Sequence, residues 1–251
     1  MPETNVSDLR LQLLSNNPLV PVLHGPELGQ GRDATAPFAW TTKTSAADRA
    51  RVPQRELVKL VLQVAHQCNL TCAYCCSDAG KWGSNQTGLM SPDLARRALR
   101  LFARRHGRIG TIYLFGGEPT LNIPAIDAVC DEAEALVHSG DLEDLPIIGF
   151  TTNGTILNDR LLRLLAERPY LKVSVSIDGP PEVHDRFRLD TGGRPTYERI
   201  VKNVRRLRQR FGKPGTVEIT YSPQHQREGF SLWEMMRRLH RSRTQYVARK
   251  G

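Results

Sequence analysis

From residue 57 onward the chain alternates between short strand-like runs and helical stripes, and this alternation limits the fold class more than any single residue does. Leu57–His66, Thr111–Phe115, Pro146–Phe150, Leu171–Ile177 and Val217–Tyr221 read as strands. Between them lie helices. Ser91 is a good N-cap with Pro92 at the first helical position, followed by Leu94, Ala98, Leu101 and Phe102 at helical spacing. Ile123–His138, Leu157–Glu167, the stripe Tyr197, Ile200, Val204, Leu207, Phe211, and Ser231–Arg241 predict further helices. Strands separated by single helices and short turns predict a parallel α/β domain. Right-handed crossovers then bring all strand C-terminal ends to one face, where the loops carry the site.

Residues 1–55 lack this rhythm. Leu9–Leu14 reads as a short helix, and the Pro and Gly that follow it read as an irregular leader, so the core is placed at 56–251. A chain of 251 residues is ample for a buried core. No run of 18 apolar residues predicts a membrane span. Met1–Leu14 has no basic stretch leading into an apolar run, so the reading is cytoplasmic, where cysteines serve metal or redox chemistry more often than disulfides. The charge of +9 is uneven: residues 186–251 hold 17 basic and 5 acidic residues. Arg outnumbers Lys 28 to 7, a chain-wide bias that weakens any nucleic-acid reading of the basic half.

The first predicted strand runs into His66-Gln67-Cys68-Asn69-Leu70-Thr71-Cys72-Ala73-Tyr74-Cys75. Three thiolates in one short loop suit an iron–sulfur cluster or zinc. A cubane needs four iron ligands, so three cysteines leave one iron open to an outside ligand. A structural zinc completed by His66 or Cys76 is the alternative.

The other strand ends are also marked. Phe115-Gly116-Gly117-Glu118-Pro119 combines glycines that let a backbone approach closely with an acceptor for a cationic amine. Thr151-Thr152-Asn153-Gly154-Thr155 offers short polar groups to a ligand or to a helix cap. In Val173–Asp178, period two puts Ser174, Ser176 and Asp178 on one face and Val173, Val175 and Ile177 on the other. A strand in mid-sheet should be buried on both faces, so the polar stripe implies a ligand-filled interior, or else an edge strand. Gly179–Arg188 then reads as a stiff loop returning His184, Asp185 and Arg188 to the same strand ends, with Arg188 able to fork onto a carboxylate.

Taken in order, these motifs resemble the radical S-adenosylmethionine superfamily. The SIDGPPEVHDRFR run, Ile219–Pro223 and Gly229–Ser231 are similar to its branch of anaerobic sulfatase-maturating enzymes and SPASM-type peptide maturases. The resemblance covers about residues 57–240. It implies a partial (β/α)6 TIM-like barrel, here of about five βα units. It implies a [4Fe–4S] cluster on Cys68, Cys72 and Cys75, with the amino and carboxylate groups of S-adenosylmethionine on the fourth iron. Gly116, Gly117 and Glu118 would meet the methionine amine, Tyr74 would border the adenine through its backbone, Asn153, Ser176 and Asp178 would line the ribose and methionyl region, and Arg188 would meet the carboxylate. The implied activity is reductive cleavage to a 5′-deoxyadenosyl radical that takes hydrogen from a peptide or protein. The implied partners are that substrate and an electron donor such as a flavodoxin or ferredoxin.

Two departures from the branch stand out. Cys76 and Cys130 are the other cysteines, too few for auxiliary clusters. The tail Tyr246–Gly251 shows no sixth strand, so the expectation is a core about one strand short, through truncation or closure by a separately encoded C-terminal half. Alternatives are a formylglycine-generating sulfatase maturase, a small-molecule enzyme similar to those of molybdenum-cofactor synthesis, a non-catalytic cluster-binding subunit, and a zinc-dependent nucleic-acid binder.

Overall fold

The computed structural model describes residues 56–81 and 87–238; the expected leader at 1–55 and the tail beyond 238 lie outside them. Five parallel strands form one sheet in the order β1 (Leu57–Ala65), β2 (Ile109–Gly116), β3 (Ile147–Thr152), β4 (Lys172–Ser176) and β5 (Thr216–Glu218). The order follows the sequence, as expected for consecutive βα units curling in one direction. The register pairs Leu60 with Ile112, Ile112 with Ile148, Phe150 with Val173 and Val175 with Val217.

The helices are α1 (Pro92–His106), α2 (Ile123–Ser139), α3 (Asp159–Glu167), α4 (Pro181–Phe187), α5 (Tyr197–Phe211) and α6 (Pro223–Arg227), with residues 232–238 helical as well. Their starts follow from sequence chemistry. The Ser91 hydroxyl accepts from the Leu94 amide at 3.1 Å, and the Asn158 side chain accepts from the Leu161 amide at 2.9 Å. Each satisfies a donor that the first turn would leave orphaned.

One face of the sheet is dry. Leu60, Leu62, Ile112, Leu114, Ile148, Phe150, Val173 and Val175 pack with Leu99, Ile126, Val129, Leu165 and Ile200 of the helices into one core. Period two places the alternate residues on the opposite face, and there the burial pattern changes. Val61 and Ile147 are about half exposed, and Lys59, Tyr113, Thr151, Ser174, Ser176 and Glu218 are exposed or half-buried. A parallel sheet covered on one side and bare on the other is an open barrel wall. β4 lies between β3 and β5, so its serine stripe belongs to an interior wall and not to an edge strand.

Three expectations change. The Gly179–Arg188 loop is partly helix: Pro181 takes the first turn, where its missing N–H costs nothing, and Val183, His184 and Phe187 bury one side. β5 ends at Glu218 rather than Tyr221, because the Thr220 amide turns to the Asp178 carboxylate at 2.9 Å instead of extending the ladder. The short helix α6 lies between the predicted strand ending at Tyr221 and the predicted helix from Ser231, where no element is expected.

Candidate active site

The cysteine loop leaves β1 at its C-terminal end and is held from three sides. On one side it pairs with residues 187–191, more than a hundred positions away. The Thr71 amide donates to Leu189 O and the Ala73 amide to Phe187 O, both at 2.9 Å, and Leu70 bridges Asp190. Leu70 is the buried pin of the loop. On the second side Asn69 donates to the Thr155 hydroxyl at 2.8 Å and accepts from Asn153 at 2.9 Å. On the third, the paired glycines pass beneath. The Gly117 amide donates to Ala65 O at 2.9 Å and the Glu118 amide to Gln67 O at 3.0 Å. A Cβ on Gly116 would stand 2.2 Å from Ala65 O, and one on Gly117 2.4 Å from Gln67 O. Glycine is therefore required by contact of one backbone with another, and Gly116 also holds a φ of +147°.

Within the loop Cys68, Cys72 and Cys75 are half-buried, while Cys76 and His66 are exposed; Cys130 lies on α2 and is buried in the core. Cys68 Sγ accepts from the Leu70 amide at 3.4 Å, and Asn153 Nδ2 lies 3.8 Å from the same sulfur. Cys75 Sγ accepts from the Ala79 amide at 3.3 Å. Burial pushes the Cys68 thiol up to about 11, with Glu118 and Cys72 adding to it. Burial also raises Cys72, against the pull of Arg188 and with help from Cys75. Thiols that raise one another by mutual repulsion, yet receive N–H donors at sulfur, suit a bound cation that supplies the missing charge. Among the described residues no three His, Cys, Asp or Glu side chains converge as a single metal ion requires.

The carboxylates turn out to be engaged by the protein. Glu118, 1% exposed, accepts from the Thr120 amide at 3.0 Å, the Thr120 and Thr152 hydroxyls at 2.6 Å and the Asn153 amide at 2.7 Å. The side chain that the motif reads as an acceptor for an amine also ties the end of β2 to the end of β3. Asn153 is thereby fixed, with its carbonyl held by the Thr155 amide at 3.0 Å and its amide facing Asn69 and Cys68. The alternative cap role of Thr151–Thr155 falls to Asn158.

Asp178, 0% exposed, sits between β4, β5 and the cysteine loop. One oxygen accepts from the Thr220 amide at 2.9 Å and the other from the Tyr74 hydroxyl. Arg188, 6% exposed, donates to the Tyr74 hydroxyl at 2.7 Å and pairs with Asp178 at 3.6 Å. Burial opposes the guanidinium charge, but Tyr74 and Asp178 hold it above its usual range. Arg188 Nε is buried with no hydrogen-bond partner among the described residues. Such a donor is costly to leave unmade. The residues thus fit the group the motifs imply: three thiols at one strand end, and an arginine with a spare buried donor beside them. His184 and Asp185 are structural. His184 Nδ1 accepts from the Asp178 amide at 3.3 Å and Nε2 meets the Thr196 hydroxyl at 3.1 Å, while Asp185 caps α5 through the Thr196 and Tyr197 amides. Ser176 stands half-buried on the bare face beside them.

Two features escape the sequence reading. Across the bare face Tyr113 donates to Thr151 and Thr151 to Glu218, both at 2.8 Å, so a polar chain spans β2, β3 and β5. Its only sequence signal is the period-two position of Glu218. His225, on α6, packs among Phe187, Tyr74 and Tyr221.

The sequence profile of the Radical SAM superfamily matches residues 62–231. A GTP 3′,8-cyclase of Synechococcus sp. is 30% identical over 168 residues, covering 65% of this chain and 45% of that protein. A serine-type anaerobic sulfatase-maturating enzyme of Bacteroides thetaiotaomicron is 28% identical over 158 residues, covering 62% and 37%. This chain therefore spans less than half the length of these relatives. The solved structure described as native anSMEcpe with bound AdoMet and Cp18Cys peptide superposes with a TM-score of 0.58 at 20% identity, over 74% of this chain and 48% of that one.

Proposed function

The chain belongs to the radical SAM superfamily, and we propose that it acts on a peptide or protein side chain. The superfamily's cofactors are a [4Fe–4S] cluster and S-adenosylmethionine. Cys68, Cys72 and Cys75 would hold three irons, leaving the fourth for the amino and carboxylate groups of S-adenosylmethionine. Arg188, with its spare Nε donor, would take the carboxylate, and the backbone of Gly116–Gly117 would lie toward the amine. Asn153 and Ser176 would face the ribose and methionyl part, with the Tyr74 backbone toward the adenine. When bound and reduced, these cofactors supply an electron that cleaves the sulfonium to methionine and a 5′-deoxyadenosyl radical able to take a hydrogen atom from the substrate. Glu118 and Asp178 hold the strand ends and the cysteine loop in register and so act by positioning.

The observation that carries this reading is the cysteine loop itself: three thiols pinned by paired backbone to 187–191, with a buried arginine donor unspent beside them. The substrate would enter along the bare sheet face, where Val61, Tyr113, Thr151 and Glu218 offer mixed apolar and polar contacts. The cyclase relative raises a nucleotide substrate as a second reading. Glu218 at the upper end of that face disfavours it, because a carboxylate repels a triphosphate. The sulfatase-maturase relative agrees with a protein substrate, and formylglycine formation is one form of the proposed activity. A flavodoxin or ferredoxin would supply the electron.

The full chain, reconstituted anaerobically with iron and sulfide, should become brown and release 5′-deoxyadenosine from S-adenosylmethionine under dithionite. Protein with full iron content and no cleavage would defeat the reading.

A further inference from the structure

A carboxylate lies across the bare face of the sheet. Glu218 is exposed, and period two sets it opposite to Val217, which packs on the core. Its register partner on β4 is Ser176, and Ser174 is registered with Thr151 of β3. Both β4 side chains are small, so the glutamate passes over them to the Thr151 hydroxyl, which donates to Oε1 at 2.8 Å. Thr151 in turn accepts from the Tyr113 hydroxyl at 2.8 Å. Burial, with the Glu218 charge adding to it against the Thr151 contact, holds the Tyr113 phenol above its usual range, so it stays a donor.

This chain of hydrogen bonds has a direction. Each hydroxyl spends its hydrogen toward β5, and the carboxylate ends the chain as an acceptor only. Both donors are uncharged, so they place Glu218 without neutralising it. Lys59, a cation of the same face, stands over the Tyr113 ring at 4.7 Å, and Glu218 has no ion pair among the described residues. That is notable in a chain with 35 Lys+Arg against 26 Asp+Glu, where Glu132 and Asp131 on the outer helices each pair with an arginine. A placed, accessible and unpaired carboxylate suits a cation brought by the substrate. On the same face Val61 is 49% exposed and Ile147 58%, so apolar groups beside that cation have surface to lie on.

We propose that Glu218 is a specificity-determining residue that receives a lysine or arginine side chain of the peptide substrate. The inference rests on the reading that the substrate is a peptide or protein. Capped heptapeptide pools, with Lys, Arg, Gln or Glu fixed at the centre and mixed uncharged residues on both sides, are offered to the full reconstituted chain without oxygen. Equilibrium dialysis with mass spectrometry reads the bound fraction of each pool. Glu218→Gln keeps the size and an acceptor for Thr151 but removes the charge, and Glu218→Lys reverses it. Glu143→Gln makes the same change in net charge at an exposed position before β3. Glu218 is exposed on a short strand, so its substitutions leave the core untouched.

A lone exposed ion pair contributes little, but Thr151 holds one partner here in advance, so the parent should retain the Lys and Arg pools about 3- to 10-fold over the Gln pool. The Glu pool should be retained least. In Glu218→Gln the Lys, Arg and Gln pools should come within about 2-fold of one another. Glu218→Lys should favour the Glu pool, and Glu143→Gln should keep the parent's order. Equal retention of all pools by the parent would overturn this inference alone. So would a Lys and Arg preference that survives Glu218→Gln, or one lost equally in Glu143→Gln. A parent that releases 5′-deoxyadenosine but retains no pool would overturn the peptide reading itself, and this inference with it.

Discussion

Replacing Glu118 by Gln tests whether this carboxylate is a ligand of the cofactor or a clamp between strand ends. Its two oxygens accept four protein hydrogen bonds, two of them from backbone amides: Thr120 at 3.0 Å and Asn153 at 2.7 Å. A glutamine has one acceptor oxygen. If its NH2 takes the place of Oε1, the Thr120 amide faces a donor; if it takes the place of Oε2, the Asn153 amide does. The threonine hydroxyls can rotate to accept, but a backbone N–H cannot. One orphaned amide costs about 1–3 kcal/mol, and losing the charge-assisted character of the remaining bonds adds to this. Removing a buried charge recovers some desolvation, but four donors already stand in for its water shell, so the recovery is the smaller effect. The net loss is about 3 kcal/mol, or roughly 6–12 °C in melting temperature for a chain of this size. Denaturant titration and thermal melting of the apo chain measure it, and cluster uptake should fall in parallel because Asn153 faces Cys68. A Glu118→Gln protein that melts with the parent and loses only affinity for S-adenosylmethionine would show that the carboxylate serves the ligand, and the clamp argument would fail.

Further outcomes follow from the same geometry. Cys68→Ala, Cys72→Ala and Cys75→Ala should each abolish cluster absorbance after reconstitution, whereas exposed Cys76→Ala and core Cys130→Ala should retain it; loss of the cluster in Cys76→Ala would reassign the ligands. Tyr74→Phe and Asp178→Asn should each speed loss of iron to a chelator several-fold, and the double variant should be little worse than either, since the two side chains meet each other and share Arg188 as a partner; strictly additive effects would separate the two residues. Burial, aided by Arg188, lowers His184 to about 3. The folded state therefore refuses a proton that the unfolded state accepts below about 6.5. Stability should be fully present above that value and fall by up to about 1.4 kcal/mol per pH unit on acidification toward 3. His184→Gln should flatten this slope in melts between pH 7 and 4.5, and an unchanged slope would place the acid sensitivity elsewhere.

What the sequence reveals and what it hides divide along the distance over which each residue finds its partners. The strands, the helix stripes and the cap at Ser91 act within a few positions, so spacing exposes them. The two faces of β4 are legible for the same reason, because alternation alone separates Val173 and Val175 from Ser174 and Ser176. The three thiols are legible because one loop carries them. The roles of the buried polar groups are different. Glu118 finds Thr152 and Asn153 across the sheet, Tyr74 finds Arg188 at a separation of 114 residues, and the cysteine loop finds its pairing segment at 187–191. Glu118, Asn153 and Arg188 each read as a ligand for the cofactor, since a polar residue at a strand end is what a binding site needs. A buried carboxylate must first be satisfied, however, and here the protein's own donors do so. Two donors near the cysteine loop, Arg188 Nε and His225 Nε2, stay without a partner among the described residues. Unmade donors of this kind have no signature in a linear sequence, because what identifies them is the absence of a neighbour in three dimensions.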